Sequence, residues 1–306
     1  MATTETTLTL TTPIKTYYEK ILLARLIAEF LHATWAQKGS IPAGQKNVEM
    51  RRYGSLAAAT SALVEGVTPT GKNLSATAIT ATPAQYGDFV EISDVLSMTS
   101  IDPILEVTAE LFGEQSAETL DTLTRDVMMA GTTVQYAGGV AGRASVAIGN
   151  KLTSDEVKKA VRTLKKNKAK RINGAYIGLI GPDASFDLQG DAAWKSAKEY
   201  AGAEDIAKGE IGMIHGVRFF ETANNKVFAA AGTGPIDVHA TLIFGANFYG
   251  ILDWAGMGLD FIVKVLGSSG SSDPLNQRQT TGWKVSFVAK ILQDLAAVRI
   301  EHAVTA

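Results

Sequence analysis

The chain has no cysteine among its 306 residues. Disulfides and thiolate metal sites are thereby excluded, and nothing in the composition calls for an oxidising compartment. Histidine is scarce too: His32, His215, His239 and His302 are scattered, none with a neighbour at ligand spacing, so no transition-metal site is expected. No apolar run reaches the roughly 18 residues of a membrane-crossing helix. The first twelve residues, MATTETTLTLTT, have neither a basic nor an apolar region of the kind that makes a signal peptide. Charge of either sign is not in excess: the formal net charge is -2, which gives no global pull towards nucleic acid or an anionic membrane. Catalytic templates are missing as well. There is no G-x-S-x-G elbow, phosphate-binding G-x-x-x-x-G-K-[ST] loop, H-E-x-x-H pair or calcium loop. Gly232-Thr233-Gly234 is followed by Pro235 and reads as a turn. No catalytic, cofactor-binding or metal-binding residue is assigned, and an enzyme is not expected.

What is present is a chain 46 % hydrophobic, long enough for one large domain or two ordinary ones, and of soluble, globular composition. Its threonine-rich start is loose by composition unless something ties it down. Thr12 and Pro13 then open a helix, by the preference for these residues at the N-cap and first turn. Apolar residues keep helical spacing to about Trp35, and Gly39 and Pro42 end it. Val48–Tyr53 reads as a strand carrying Arg51 and Arg52.

The stretch TPTGKNLSATAITATPAQYGDFVEISD, Thr68–Asp94, reads as strand ribbon. It alternates and is rich in Thr, Ile, Val, Tyr and Phe. From Leu74 to Thr82 only Leu74 and Ile79 could anchor a core. Residues 46–92 therefore form a long two-stranded arm that cannot hold itself up, since an isolated hairpin is marginal in water. Residues 102–130 read as a long helix with Asp102 as N-cap and an apolar face of Ile104, Val107, Leu111, Leu120, Leu123 and Val127. Glu106, Glu110, Glu114 and Glu118 form a ridge at four-residue spacing, where like charges repel. No Lys or Arg lies between Phe89 and Thr124 to offset them. The ridge is either a solvated face or the seat of a basic surface, such as the one bearing Arg51 and Arg52.

Glycine- and alanine-rich sequence from Gly131 to Gly149 marks a boundary. Thr153 or Ser154 caps a helix through the basic run Lys158–Arg171, either an amphipathic helix with a basic outer face or a weak, sequence-independent phosphate contact. Ala175–Leu188 reads as strand, turn and short helix. Strand-like segments follow at Ile211–Glu221, Lys226–Ala231 and Thr241–Phe244, then one or two long strands over Trp283–Ile300. His215 suits a turn or strand edge. Trp194 and Trp283 suit buried anchors. The order of elements is α+β, without a regular βαβ series.

Several blocks carry a family resemblance: TYYEKILLARL, RRYGSL with EGVTPTG, YGDFVEISDVL, GEIGMIHGVRFFET and SDPLNQRQTTGWK. In this order, and over nearly the whole chain, they resemble major capsid proteins of tailed bacteriophages. The resemblance implies the Hong Kong-97-type capsid fold. Its parts would be an N-terminal arm and helix (1–45), an extended β-hairpin loop (46–92), a peripheral domain with a spine helix (93–149), an axial domain (150–250) and return strands of the peripheral domain (251–306). It implies a coat protein assembled in the host cytoplasm, as hexamers and pentamers, into the icosahedral shell of a virion around double-stranded DNA. A portal protein, and scaffolding or decoration proteins, would be partners; neither a cofactor nor a membrane is implied. Arg51, Arg52, Pro69, Lys72, Tyr86, Glu106, Glu110, Glu114 and Glu118 are the intersubunit contact candidates. Some relatives cross-link through Lys and Asn, but Lys72 and Asn73 are adjacent and show no such geometry. An encapsulin-like shell around protein cargo is the alternative.

Overall fold

The computed structural model describes residues 31–42, 44–99, 104–194, 210–268 and 273–305. Fourteen strands and four α-helices alternate irregularly among these residues. They run β1 (Gln37–Ile41), β2 (Val48–Tyr53), β3 (Ala76–Ala81), β4 (Ala84–Ser93), α1 (Asp94–Thr99), α2 (Ile104–Met128), β5 (Val134–Tyr136), α3 (Ser154–Lys166), β6 (Tyr176–Ile180), α4 (Pro182–Gly190), β7 (Glu210–Ile214), β8 (Val217–Glu221), β9 (Val227–Phe228), β10 (Val238–Phe244), β11 (Tyr249–Trp254), β12 (Asp260–Lys264), β13 (Arg278–Ile291) and β14 (Ala297–His302). The expected arm at 1–12, most of the helix from Pro13 and the Asp102–Pro103 cap lie outside the described residues. At 31–36, where that helix was expected to end, the chain turns, and Gly39 sits inside β1, which pairs parallel with β11.

Three sheets result. The first has the order β1-β11-β13-β12, with β4 also on β13. The second has the order β5-β14-β10-β6-β8-β7, with β9 on β10. The third is the ribbon β2-β3 alone. In the first sheet, β4 and β13 approach closely at two glycines, Gly87 opposite Lys284 and Gly282 opposite Phe89. A Cβ on Gly282 would stand 2.7 Å from the Asp88 carbonyl, and one on Gly87 would strike the Trp283 carbonyl. In the second, β7 and β8 are joined by His215 and Gly216, both at positive φ (52° and 80°). Two such residues make the turn whose twist matches a hairpin.

The second sheet is covered on both faces, so β6 is buried along its whole length. Tyr176 and Ile180 face Val157, Val161 and Leu164 of α3 and Ala184 and Leu188 of α4. The alternate residues Ile177 and Leu179 face Met128 and Met129 at the end of α2, with Trp35 and Phe248. Trp194 is a buried anchor against Phe219, ring centroids 5.8 Å apart. The first sheet is covered by α2, whose Ala109, Phe112 and Leu120 pack on Phe261, Trp283, Val285, Phe287 and Ala289. One helix thus ties both sheets together.

The buried stripe of α2 is not the one expected from its large apolar residues. Val107 and Leu111 are 46 % and 58 % exposed, while Thr108, Ser116 and Thr124 are buried. These hydroxyls return hydrogen bonds to Ile104, Gly113 and Leu120 carbonyls at 2.7, 3.1 and 2.8 Å, so they can be buried without loss. β5, within 93–149, and β14, within 251–306, both belong to the second sheet with β10. β14 is buried along nearly its whole length, its Glu301 and His302 included, as suits a sheet covered on both faces.

Two buried polar centres hold the sheets in register. Glu301 is fully buried and takes Arg143 in a two-bond fork, both bonds 2.7 Å, with Arg299 Nε at 2.9 Å. Phe228 lies under the Arg143 guanidinium, 3.4 Å to its ring centre. The other centre is Asp121, which accepts from His32 N at 2.8 Å and meets His32 Nδ1 at 2.7 Å. Asn224 Nδ2 donates to it at 2.9 Å, and the Tyr249 hydroxyl donates to the His32 carbonyl. Burial works to raise the Asp121 pKa. The His32 hydrogen bonds and charge, with Asn224, outweigh it and hold the carboxyl below its ordinary range.

Removing one partner of a buried ion pair strands the others. Glu301→Gln should therefore cost about 3 kcal/mol in subunit denaturation, at the low end because Arg143 is one-third exposed. His302, buried beside Thr241, has its pKa pushed down to about 4 by burial. The unfolded chain then binds the proton first, from its ordinary value near 6.5. The stability this gives is complete above pH 6.5 and is lost as pH falls towards 4, about 3 kcal/mol in all. Denaturation across pH 7 to 4 should show that slope in the wild type and a smaller one in His302→Gln.

Candidate assembly surfaces

The ribbon β2-β3 is in register from Val48 opposite Ala81 to Tyr53 opposite Ala76. Only its base has a core: Ala81 is buried with Ile41 and Leu252, and Val48 and Met50 pack beside them. Beyond that base, every residue from Arg51 to Ala78 is exposed. Ile79 is half-buried, whereas Leu74 is 69 % exposed. Tyr53, Leu56, Leu63, Val64 and Val67 join Leu74 as large apolar side chains left in solvent. Six such groups in one flap are an exposed patch of the kind that marks a contact surface.

The candidates named from sequence fall in three places. Arg51, Arg52, Pro69 and Lys72 are on the flap and exposed. Arg51 pairs with Glu49 at 3.0 Å, Arg52 Nη1 donates to the Leu292 carbonyl at 3.4 Å, and Lys72 Nζ donates to the Ala57 carbonyl at 3.0 Å. Glu110, Glu114 and Glu118 form an exposed ridge on α2; the Glu106 side chain lies outside the described residues. Tyr86 is apart from both, half-buried on β4 opposite Val285 and packed on the core between α2 and the first sheet. Exposed Val107 and Leu111, beside the ridge, were missed as surface residues, because their size alone placed them inward.

Next to Tyr86, Asp88 accepts from Gln115 Nε2 at 2.8 Å, and Gln115 Oε1 accepts from Trp283 Nε1 at 2.9 Å. The Gln115 bond, then the Phe89 amide, hold the Asp88 carboxyl below its ordinary range. Trp283 is thus a buried anchor with its polar end satisfied.

A third surface is basic. Thr153 caps α3, and Val157, Ala160, Val161 and Leu164 face inward, so the cations turn outward. Lys158, Arg162, Lys165 and Lys166 line a cleft of about 600 Å³ with Val161 and His215. The imidazole is fixed by Ser154 Oγ, 2.7 Å from Nε2. Burial, then the Lys158 charge, push the His215 pKa down. Among the described residues no group of acids and histidines could hold a metal ion, and no helix is long and apolar enough to cross a membrane.

The phage capsid protein family model matches residues 74–251, more than half of the chain. No curated protein matches at a significant level. Among solved structures, the capsid of Ralstonia phage GP4 is similar with a TM-score of 0.71 at 15 % identity, over 90 % of this chain and 89 % of that one. The mature capsid of bacteriophage PhiM1 gives 0.66 at 13 % identity, over 89 % and 86 %. The holo-SrpI encapsulin complex of Synechococcus elongatus gives 0.56 at 11 %, over 92 % and 88 %. At these identities the structures speak for the fold, which is of the Hong Kong-97 type, and the matched family model supplies the kinship. The chain belongs to the phage capsid protein family.

Proposed function

We propose that this chain is a major capsid protein of a tailed phage, many copies of which close as hexamers and pentamers into an icosahedral shell around double-stranded DNA. The observation that carries this reading is the flap from Arg51 to Ala78, exposed throughout and bearing six large apolar side chains. Full burial of such a side chain yields about 1.5–3 kcal/mol, and a neighbouring copy offers the surface for it. Closed symmetry then repeats a modest contact at every subunit. The α2 ridge of Glu110, Glu114 and Glu118 is the acidic counterpart to Arg51 and Arg52 of a neighbouring flap. The role is mechanical. Portal, scaffolding and decoration proteins would be its partners in building and filling such a container, as part of a virion assembled in the host cytoplasm. A protein-filled compartment is the second reading, since an encapsulin complex shares the fold. Particle absorbance at 260 against 280 nm separates a nucleic-acid filling from a protein one.

Gly54 N donates to Ser75 O at 2.8 Å, so the flap tip can be cut away where its strands are already closed. Replacing residues 55–74 with Asn-Gly, a natural two-residue turn, should leave subunit stability within about 1 kcal/mol and abolish closed shells in electron micrographs. Shells of normal shape from that variant would contradict the reading. Glu110→Lys, Glu114→Lys and Glu118→Lys together should also block assembly, and Arg51→Glu with Arg52→Glu should restore part of it. No rescue, with both variants folded, would mean the ridge meets something else.

A further inference from the structure

The basic surface of α3 is not explained by the contacts that hold the subunit together. Eight of the chain's 29 Lys and Arg residues lie within Lys158–Arg171, in a stretch with no acid from Val157 to Pro182. A nearly neutral chain has thus concentrated more than a quarter of its positive charge in one short stretch. The two carboxylates at the start of α3 are already engaged: Asp155 holds Lys158 at 3.2 Å, and Glu156 holds Lys159 at 2.6 Å. Arg162, Lys165 and Lys166 have no carboxylate partner among the described residues, and all three are exposed. Their spacing, with Lys158, puts them on one helix face. From Lys158 to Lys166 the row spans about 12 Å, at 1.5 Å per residue.

A single cationic helix face could be only solvated. Here it forms one wall of a cleft, and the other contribution comes from a different element. The β7–β8 turn brings His215 to the cleft, held in place by Ser154. The wall offers several donors, no acid and no aromatic platform, so it suits phosphate groups and gives no means of reading bases.

Building on the DNA-filled container reading, we infer that the α3 face formed by Lys158, Arg162, Lys165 and Lys166, with His215 beside it, binds the phosphate backbone of packaged duplex DNA without sequence preference. That places α3 on the lumen side of the shell. The flap and the α2 ridge then serve contacts between copies, while α3 serves the contents.

The test uses full-length, unassembled subunits and a 30-base-pair duplex, with binding followed by fluorescence anisotropy between 50 and 300 mM salt. Arg162→Gln/Lys165→Gln/Lys166→Gln should weaken binding about 10–100-fold at 50 mM salt and lower the slope of log K against log salt by about three. Lys165→Arg/Lys166→Arg should keep both, which separates charge from misfolding. Two duplexes of unrelated sequence should bind alike. An unchanged affinity and slope in the glutamine variant would overturn the inference even where normal shells form, and the capsid reading would stand. A glutamine variant that folds, keeps its DNA affinity and fails to assemble would reassign the face to a neighbouring subunit. Absence of shells from the wild type would instead undo the capsid reading, and leave the subunit's DNA affinity to be judged on its own result.

Discussion

A two-stranded ribbon has two faces and two edges, and in this chain it has core beneath only one end. Ala81, Val48 and Met50 root it on Ile41 and Leu252. Past that point the backbone closes on itself through β2-β3 pairing and the side chains meet solvent. Apolar groups such as Leu63, at 79 % exposure, gain nothing there. The flap's geometry is therefore incomplete without a surface from outside the subunit, and the rest of the structure can be understood as what presents that flap and what receives it.

The body is built to be rigid. α2 packs Phe112 and Leu120 on one sheet and Met128 and Met129 on the other, so the two sheets cannot shift without disturbing the same helix. Buried charge reinforces this. Glu301 gathers Arg143 from the turn after β5 and Arg299 from β14, and Asp121 gathers His32, Asn224 and, through the His32 carbonyl, Tyr249. Each centre joins segments far apart in sequence. Satisfied networks of this kind specify one arrangement, because any partial rearrangement strands a buried charge. A rigid body with an uncored flap suits a subunit whose energy of association is to be gained at its periphery.

Much of this could be read from the sequence, for reasons that differ by element. The under-cored ribbon was legible as far as Ala81, because strand patterning at Ala76–Ala81 came without large apolar partners, but its expected continuation from Ala84 to Ser93 is β4, paired with β13 in the first sheet. α3 was legible because its cap, acidic first turn and apolar stripe agree. The face of α2 was not. Its buried side relies on Thr108, Ser116 and Thr124, whose hydroxyls bond to the helix itself, and periodicity of large side chains cannot see that. β1, β11 and β12 were missed since they are short and their partners are distant, β1 pairing with β11 across more than 200 residues. The membership of β14 in the second sheet follows from long-range pairing with β10 and β5, which local pattern does not encode. Of the contact candidates, the flap residues and the described glutamates proved exposed, whereas Tyr86 turned to the core. Its place in an alternating strand left both faces open until the pairing with Val285 fixed one.

The claim beneath all of this is that residues 51–78 find their partner only in another copy. Amide hydrogen exchange, followed by mass spectrometry on free subunits and on assembled particles of the full chain, tests it most directly. The loop within this segment should exchange nearly as fast as unstructured peptide in the free subunit and become strongly protected in the particle. Protection already present in the free subunit, or fast exchange that persists in the particle, would contradict it.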